Sequence, residues 1–292
     1  MHSRKTLVTH HSPDLDAITS VWLFKRFDSE HFADAHVMFV DQGTTLDNFT
    51  IEQNNLDPAE IVHVDTGLGE FDHHQADRGM QMVCATTLVF DYLLKHYKDL
   101  VDDQALVHLV AYVNDIDHFQ EIHWSETAQF RFNFMIQELI HGMEFTTPRT
   151  DESQLYFGMQ CLDSAYAALT QYFKALEIIK QSGQPFTVAG QKALAVETSN
   201  DEVVKLAQKQ GFVVAVRKDP DLGNVRIKVR PDSDIVLDKL AEAIKSVDHV
   251  GHWYYHPSGK MLLNGSNKNR SQTASPLTLA QVIEILQQTY GR

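Results

Sequence analysis

Two short stretches carry most of the reactive side chains: His10-His11-Ser12-Pro13-Asp14-Leu15-Asp16-Ala17, and Asp65-Thr66-Gly67 followed by Asp72-His73-His74. Both place imidazoles and carboxylates behind apolar, strand-like runs. Carboxylates gathered so densely repel one another unless cations neutralise them. Oxygen and imidazole donors together suit manganese or magnesium better than a thiolate-preferring ion. The chemistry implied is phosphoester cleavage assisted by two metal ions. Asp14 or Asp16 alone would serve as a helix cap, but a histidine and two carboxylates around a proline-stiffened turn exceed what a cap requires. Asp65 by itself is an ordinary strand-end turn residue. Adjacent His73 and His74 point to opposite sides of an extended segment, so one can ligate a metal while the other reaches a phosphate. Asp72 could orient His73 through its other ring nitrogen.

A further stretch, Tyr112-Val113-Asn114-Asp115-Ile116-Asp117-His118-Phe119, follows an apolar helical run. Asp115 or Asp117 could ligate, or either could be a residue of the loop that ends the helix. Asp41, after the apolar run 36–40, competes with Asp65 as the strand-end aspartate.

Positioning these groups requires strands near 5–9, 36–40 and 61–64, with helices at 16–27, 84–97 and 102–113. Strand followed by acidic loop, with helices between, predicts a mostly parallel α/β sheet whose ligands gather at the carboxyl ends of its strands. A long helix over 155–180 is stopped by Ser182-Gly183-Gln184-Pro185, which sets the expected boundary between domains 1–182 and 183–292. The second domain reads as a smaller α+β unit. Its strands are expected at 186–188 and 193–196, in a hairpin of 213–217 with 225–230, and at 253–255 and 260–263. Its helices are expected at 201–210, 235–246 and 277–288.

The order of segments resembles the DHH phosphoesterase superfamily, whose naming motif stands here as Asp72-His73-His74. The family's first motif, H-x-x-P-D-x-D-A, is matched by His10, Pro13, Asp14, Asp16 and Ala17 without a gap. Its second is matched by Asp65, and its fourth by Asp115 with Phe119. The resemblance implies one cation held by His10, Asp14 and Asp65, and a second held by Asp16, Asp65, His73 and Asp115. Mn2+ is the expected ion and Mg2+ the alternative. It also implies that His74 contacts the scissile phosphate with Asp72 in support. The short step from Asp65 to Asp72 is similar to the MYG-type branch, whereas the first motif is similar to the RecJ and oligoribonuclease branch.

A net charge of −14 over 292 residues argues against coating long nucleic acid, which needs a basic surface to release counterions. It is compatible with a short oligonucleotide or a nucleotide. In the second domain Arg230, His249, His252 and Lys268, with Arg270, could supply positive charge for substrate. Trp253, Tyr254 or Tyr255 could offer a stacking face. The two cysteines, Cys84 and Cys161, read as free thiols. With no spanning segment and no charged-then-apolar signal, a cytoplasmic location is expected. Oligomeric state stays open, a homodimer included. The expected function is metal-dependent hydrolysis of short oligonucleotides or single-stranded nucleic-acid ends. The alternatives are a pyrophosphatase-like or polyphosphatase-like hydrolase and a catalytically silent nucleotide-binding regulator.

Overall fold

Strand β1 (Thr6–His10) is buried along its whole length between β2 (His36–Val40) and β3 (Ile61–His63), and runs parallel to both. The register pairs Val8 with His63, so two residues further on His10 and Asp65 emerge side by side at the carboxyl end of the sheet. This computed structural model describes residues 4–265 and 271–291 and divides into two units, 1–168 and 169–292.

In the first unit, α1 (Leu15–Phe27) begins at Asp14, whose carboxylate accepts the Ala17 N–H at 3.0 Å. It buries Ile18, Val21 and Leu23 and packs against α4 (Ala85–His96). Helices α2 (Ser29–Phe32) and α3 (Asn48–Gln53) are short connectors. The apolar face of α5 (Gln104–Asp117), with Leu106, Leu109 and Val113 buried, continues past the expected end at 113. Its last turn therefore carries both Asp115 and Asp117. A run of short turns leads to α6 (Ile136–Gly142) and then to α7 (Asp151–Ser182).

The expected boundary at 182/183 moves back into α7. Its residues Tyr172, Ala175, Leu176 and Ile179 join the core of the second unit, against Leu194, Val196, Val203 and Val204. That unit contains β4 (Gln184–Val188), β5 (Gln191–Glu197), β6 (Val214–Lys218), β7 (Val225–Val229), β8 (Trp253–Tyr255) and β9 (Met261–Asn264), in the order β4-β5-β6-β7-β9-β8. Only the β5–β6 pair is parallel, joined through α8 (Glu202–Lys209). Pro185 is tolerated because β4 is an edge strand. Strand alternation sends Leu194 and Val196 to the face covered by α8. Ala193 and Ala195 go to the face covered by α9 (Asp238–Val247) and α10 (Leu279–Tyr290). Among the described residues no helix is long and apolar enough to cross a membrane.

Candidate metal centre

The sheet register brings His10 and Asp65 together, with Nε2 3.3 Å from Oδ2. His10 Nδ1 donates to the His11 carbonyl at 2.8 Å, which fixes the tautomer. In the neutral ring Nε2 then carries a lone pair aimed at carboxylate oxygens, Asp14 Oδ1 being 3.9 Å away. Lone pair against carboxylate is repulsive unless a proton or a cation lies between them. Burial disfavours the charged ring, but the Asp65 hydrogen bond and the Asp14 charge outweigh it and raise the His10 pKa to about 9.

Asp65 is 2% exposed and takes a left-handed backbone conformation (φ 54°), with its N–H on the Phe71 carbonyl at 2.9 Å. Aspartate tolerates this geometry better than most residues. Its second oxygen, Oδ1, has no hydrogen-bond partner and lies 3.4 Å from His73 Nε2 and 3.8 Å from His74 Nδ1. Burial would raise the Asp65 pKa, yet His10 and His73 hold it below the ordinary value. The adjacent Asp65 carboxylate raises the His73 pKa to about 9 against the effect of burial, with Asp117 and Asp16 adding to the rise.

Asp16, 2% exposed, is held by the start of α4: Ala85 N–H and Thr86 N–H each donate to its carboxylate at 2.8 Å. These bonds leave lone pairs free on the side of His73 Nε2, 3.8 Å away. Burial and the negative charges of Asp65, Asp117 and Asp14 push the Asp16 pKa well up. A buried group of this kind is costly without a compensating cation.

Two expectations change. Asp117, not Asp115, faces His73, with Oδ2 3.8 Å from Nδ1, and it also converges with Asp16 and Cys84. Asp115 belongs to none of the convergent donor groups among the described residues. Residues two apart on a helix project about 200° apart, so only one of the pair can face the sheet end. Asp72, fully buried, orients His74 rather than His73. His74 Nδ1 donates to its Oδ1 at 2.7 Å, while Leu68 N–H and His74 N–H bond the same carboxylate at 2.7 and 3.1 Å. With Nδ1 committed, the 40% exposed His74 side chain keeps Nε2 for an incoming group.

Asp41 is exposed and, among the described residues, takes part in no convergent group. The sheet end therefore uses Asp65. Cys84 is a free buried thiol whose pKa burial pushes up, so it resists becoming a thiolate ligand. His118 was given no role by its sequence context and lies near His73 and Asp117. Its ring nitrogens face the Asn114 and Gln81 carbonyls at 2.8 and 3.1 Å. Arg149 is also new: its guanidinium donates to Ser12 Oγ at 2.5 Å, and Asp151 receives the Ser12 N–H at 2.8 Å. No local motif signals Arg149, because 137 residues separate it from Ser12.

Among the described residues the grouping expected in the second unit is not brought together. Val229 N–H bonds Lys260 O, which places Arg230 beside the start of β9, whereas Trp253 pairs with Asn264 at its end. Arg230 and His252 therefore lie at opposite ends of that strand. Arg230 forms an ion pair with Asp232, and His252 Nδ1 accepts the Thr273 N–H at 3.2 Å. His249 is exposed, while Lys268 and Arg270 lie outside the described residues. Trp253 and Tyr255 pack on the core, so of the three aromatics Tyr254 keeps an open face.

No family model and no curated protein matches the chain. A solved DHH domain is among its structural neighbours. That domain, from a member of a family of ribosomal proteins, is 12% identical with a TM-score of 0.33, covering 97% of this chain and 86% of that one. An exonuclease RecJ bound to manganese is 11% identical with a TM-score of 0.32, covering 90% and 86%. An uncharacterised protein from Helicobacter pylori G27 is 13% identical with a TM-score of 0.25, covering 99% and 100%. At these values the reading of the centre rests on its own residues.

Proposed function

We propose that the first unit is a metal-dependent phosphoesterase that holds two divalent cations, Mn2+ before Mg2+, and acts on short oligonucleotides or single-stranded nucleic-acid ends. The observation that carries this reading is Asp65: one buried oxygen serves His10, and the other, without a hydrogen-bond partner, is directed at His73. Histidines with pKa values near 9 beside buried carboxylates are what such a donor set adopts when protons, in place of cations, neutralise the carboxylates.

His10, Asp14 and Asp65 would hold one cation, and Asp16, Asp65, His73 and Asp117 the other. The ions would polarise the phosphoester and lower the pKa of the attacking water. His74, oriented by Asp72 through Nδ1–H, would donate to a phosphate oxygen from Nε2 when both ring nitrogens carry protons. The α4 amide groups keep Asp16 fixed, and the His11 carbonyl keeps the His10 ring in the tautomer that presents Nε2.

The test is a manganese-supplemented hydrolysis screen over pApA, short RNA, single-stranded DNA, cyclic dinucleotides and pyrophosphate. Hydrolysis of the short oligonucleotides that is lost in Asp65→Asn supports the proposal. Turnover of pyrophosphate alone would overturn the substrate assignment, and absence of any turnover would overturn the activity.

A further inference from the structure

A cavity of about 260 Å³ in the first unit opens beside the metal centre and shares Asp14, Asp16 and Asp117 with it. Its remaining polar lining consists mostly of hydrogen-bond acceptors. Glu121, Glu138 and Glu144 contribute carboxylates, and Gln137 and Gln154 contribute amides. Among the described residues no lysine or arginine lines it, and its histidine, His141, lies beside Glu144, so the carboxylates disfavour a phosphate in its interior.

The acceptors are not all used by the protein. Gln154 is 1% exposed; its amide N–H donates to the Pro13 carbonyl at 3.0 Å, and its Oε1 has no partner. Glu121 Oε2 is likewise buried without a partner. Buried acceptors of this kind call for a donor from outside the chain. Among the described residues Glu121, Glu138 and Glu144 are in no convergent metal-ligating group, so a further cation is not what they are arranged to hold.

The rest of the wall is His141, its Nδ1 3.7 Å from Glu144 Oε2, and the apolar Leu15, Val113, Ile116 and Ile140. Phe119 completes it while 70% exposed and in a left-handed backbone conformation (φ 55°). That conformation is costly for a bulky residue and concentrates at ligand sites. A flat aromatic face, apolar sides and inward acceptors match a planar heterocycle bearing N–H donors.

We propose that this cavity receives a nucleobase with an exocyclic amino group, belonging to the nucleotide whose phosphoester lies at the metal centre. The proposal depends on the phosphoesterase reading only for the purpose it gives the bound base. It also separates substrates: a nucleotide can fill this cavity, whereas pyrophosphate has nothing to place there.

The test measures equilibrium binding of two nucleosides to the full chain with Mn2+: adenosine, and purine riboside, which lacks the 6-amino group. Manganese-dependent hydrolysis of the base-free ester bis(p-nitrophenyl) phosphate is followed separately. Adenosine should bind about tenfold more tightly, because purine riboside leaves a buried acceptor unpaired. Glu121→Gln should shrink that ratio towards one, with unchanged circular dichroism confirming that it folds. Equal binding of the two nucleosides, no binding of either, or tighter binding of putrescine than of adenosine would overturn the proposal. Ester hydrolysis without nucleoside discrimination refutes the base site and spares the catalytic reading. Discrimination without hydrolysis does the reverse.

Discussion

His73 and Asp117 face each other across 3.8 Å, Nδ1 to Oδ2, on the ring edge opposite the one turned to Asp65. The last turn of α5 thereby closes the centre from the side away from the sheet. Asp117→Asn should lower manganese-dependent turnover more than about 100-fold, since loss of a group merely supporting a ligand already costs roughly 10–100-fold. Asp115→Asn should stay within about twofold of the parent protein. A larger loss in Asp115→Asn than in Asp117→Asn, measured as kcat/KM, would show that α5 presents its other face.

Cation binding should stabilise the first unit. With Mn2+ at about 100 times its Kd the gain is roughly 2.7 kcal/mol for each site filled, seen as a higher thermal midpoint that chelation reverses. Asp65→Asn should abolish most of this gain, because it serves both proposed cations. His74→Ala should retain the gain while losing turnover. An unchanged midpoint in the parent protein after exhaustive chelation would count against the centre.

Gly158 on α7 lies against α1: a Cβ there would sit 2.7 Å from Ile18 Cδ1 and 2.9 Å from its Cγ2. Ile18 is fully buried and β-branched, so it has little room to yield. Gly158→Ala should destabilise the protein by about 1–3 kcal/mol from overpacking, although alanine is the better helix former. The urea midpoint measures this.

In the second unit, burial alone would raise the Asp248 pKa. The Ser275 hydroxyl at 2.6 Å, the Gly251 N–H at 2.7 Å and the Trp253 indole at 2.8 Å outweigh burial and lower it. The folded state then binds fewer protons than the unfolded state near the ordinary carboxylate pKa of ~3.9. This contribution is complete above that pH and is lost as pH falls through the depressed folded value. Hydrogen-exchange protection factors of residues 248–264, which remove the intrinsic slowing of exchange by acid, should fall between pH 6 and 3. In Asp248→Asn these protection factors should be lower at pH 6 and less sensitive to pH.

By itself the sequence determined the donor types and the elements that carry them. His10, Asp14, Asp16, Asp65 and His73 follow apolar runs whose period and punctuation are local properties, and those runs form β1, α1 and β3 within a few residues of where the pattern places them. The choice between Asp115 and Asp117 was not local. It depends on α5 continuing to 117 and on which of two projections, about 200° apart, meets His73. Asp65 prevails over Asp41 through its convergence with His10 at the sheet end, a consequence of strand register. Arg149 and the cavity beneath Phe119 rest on contacts between distant segments. So does the separation of Arg230 from His252 along β9. Sequence spacing carries no record of them, because only packing brings those segments together.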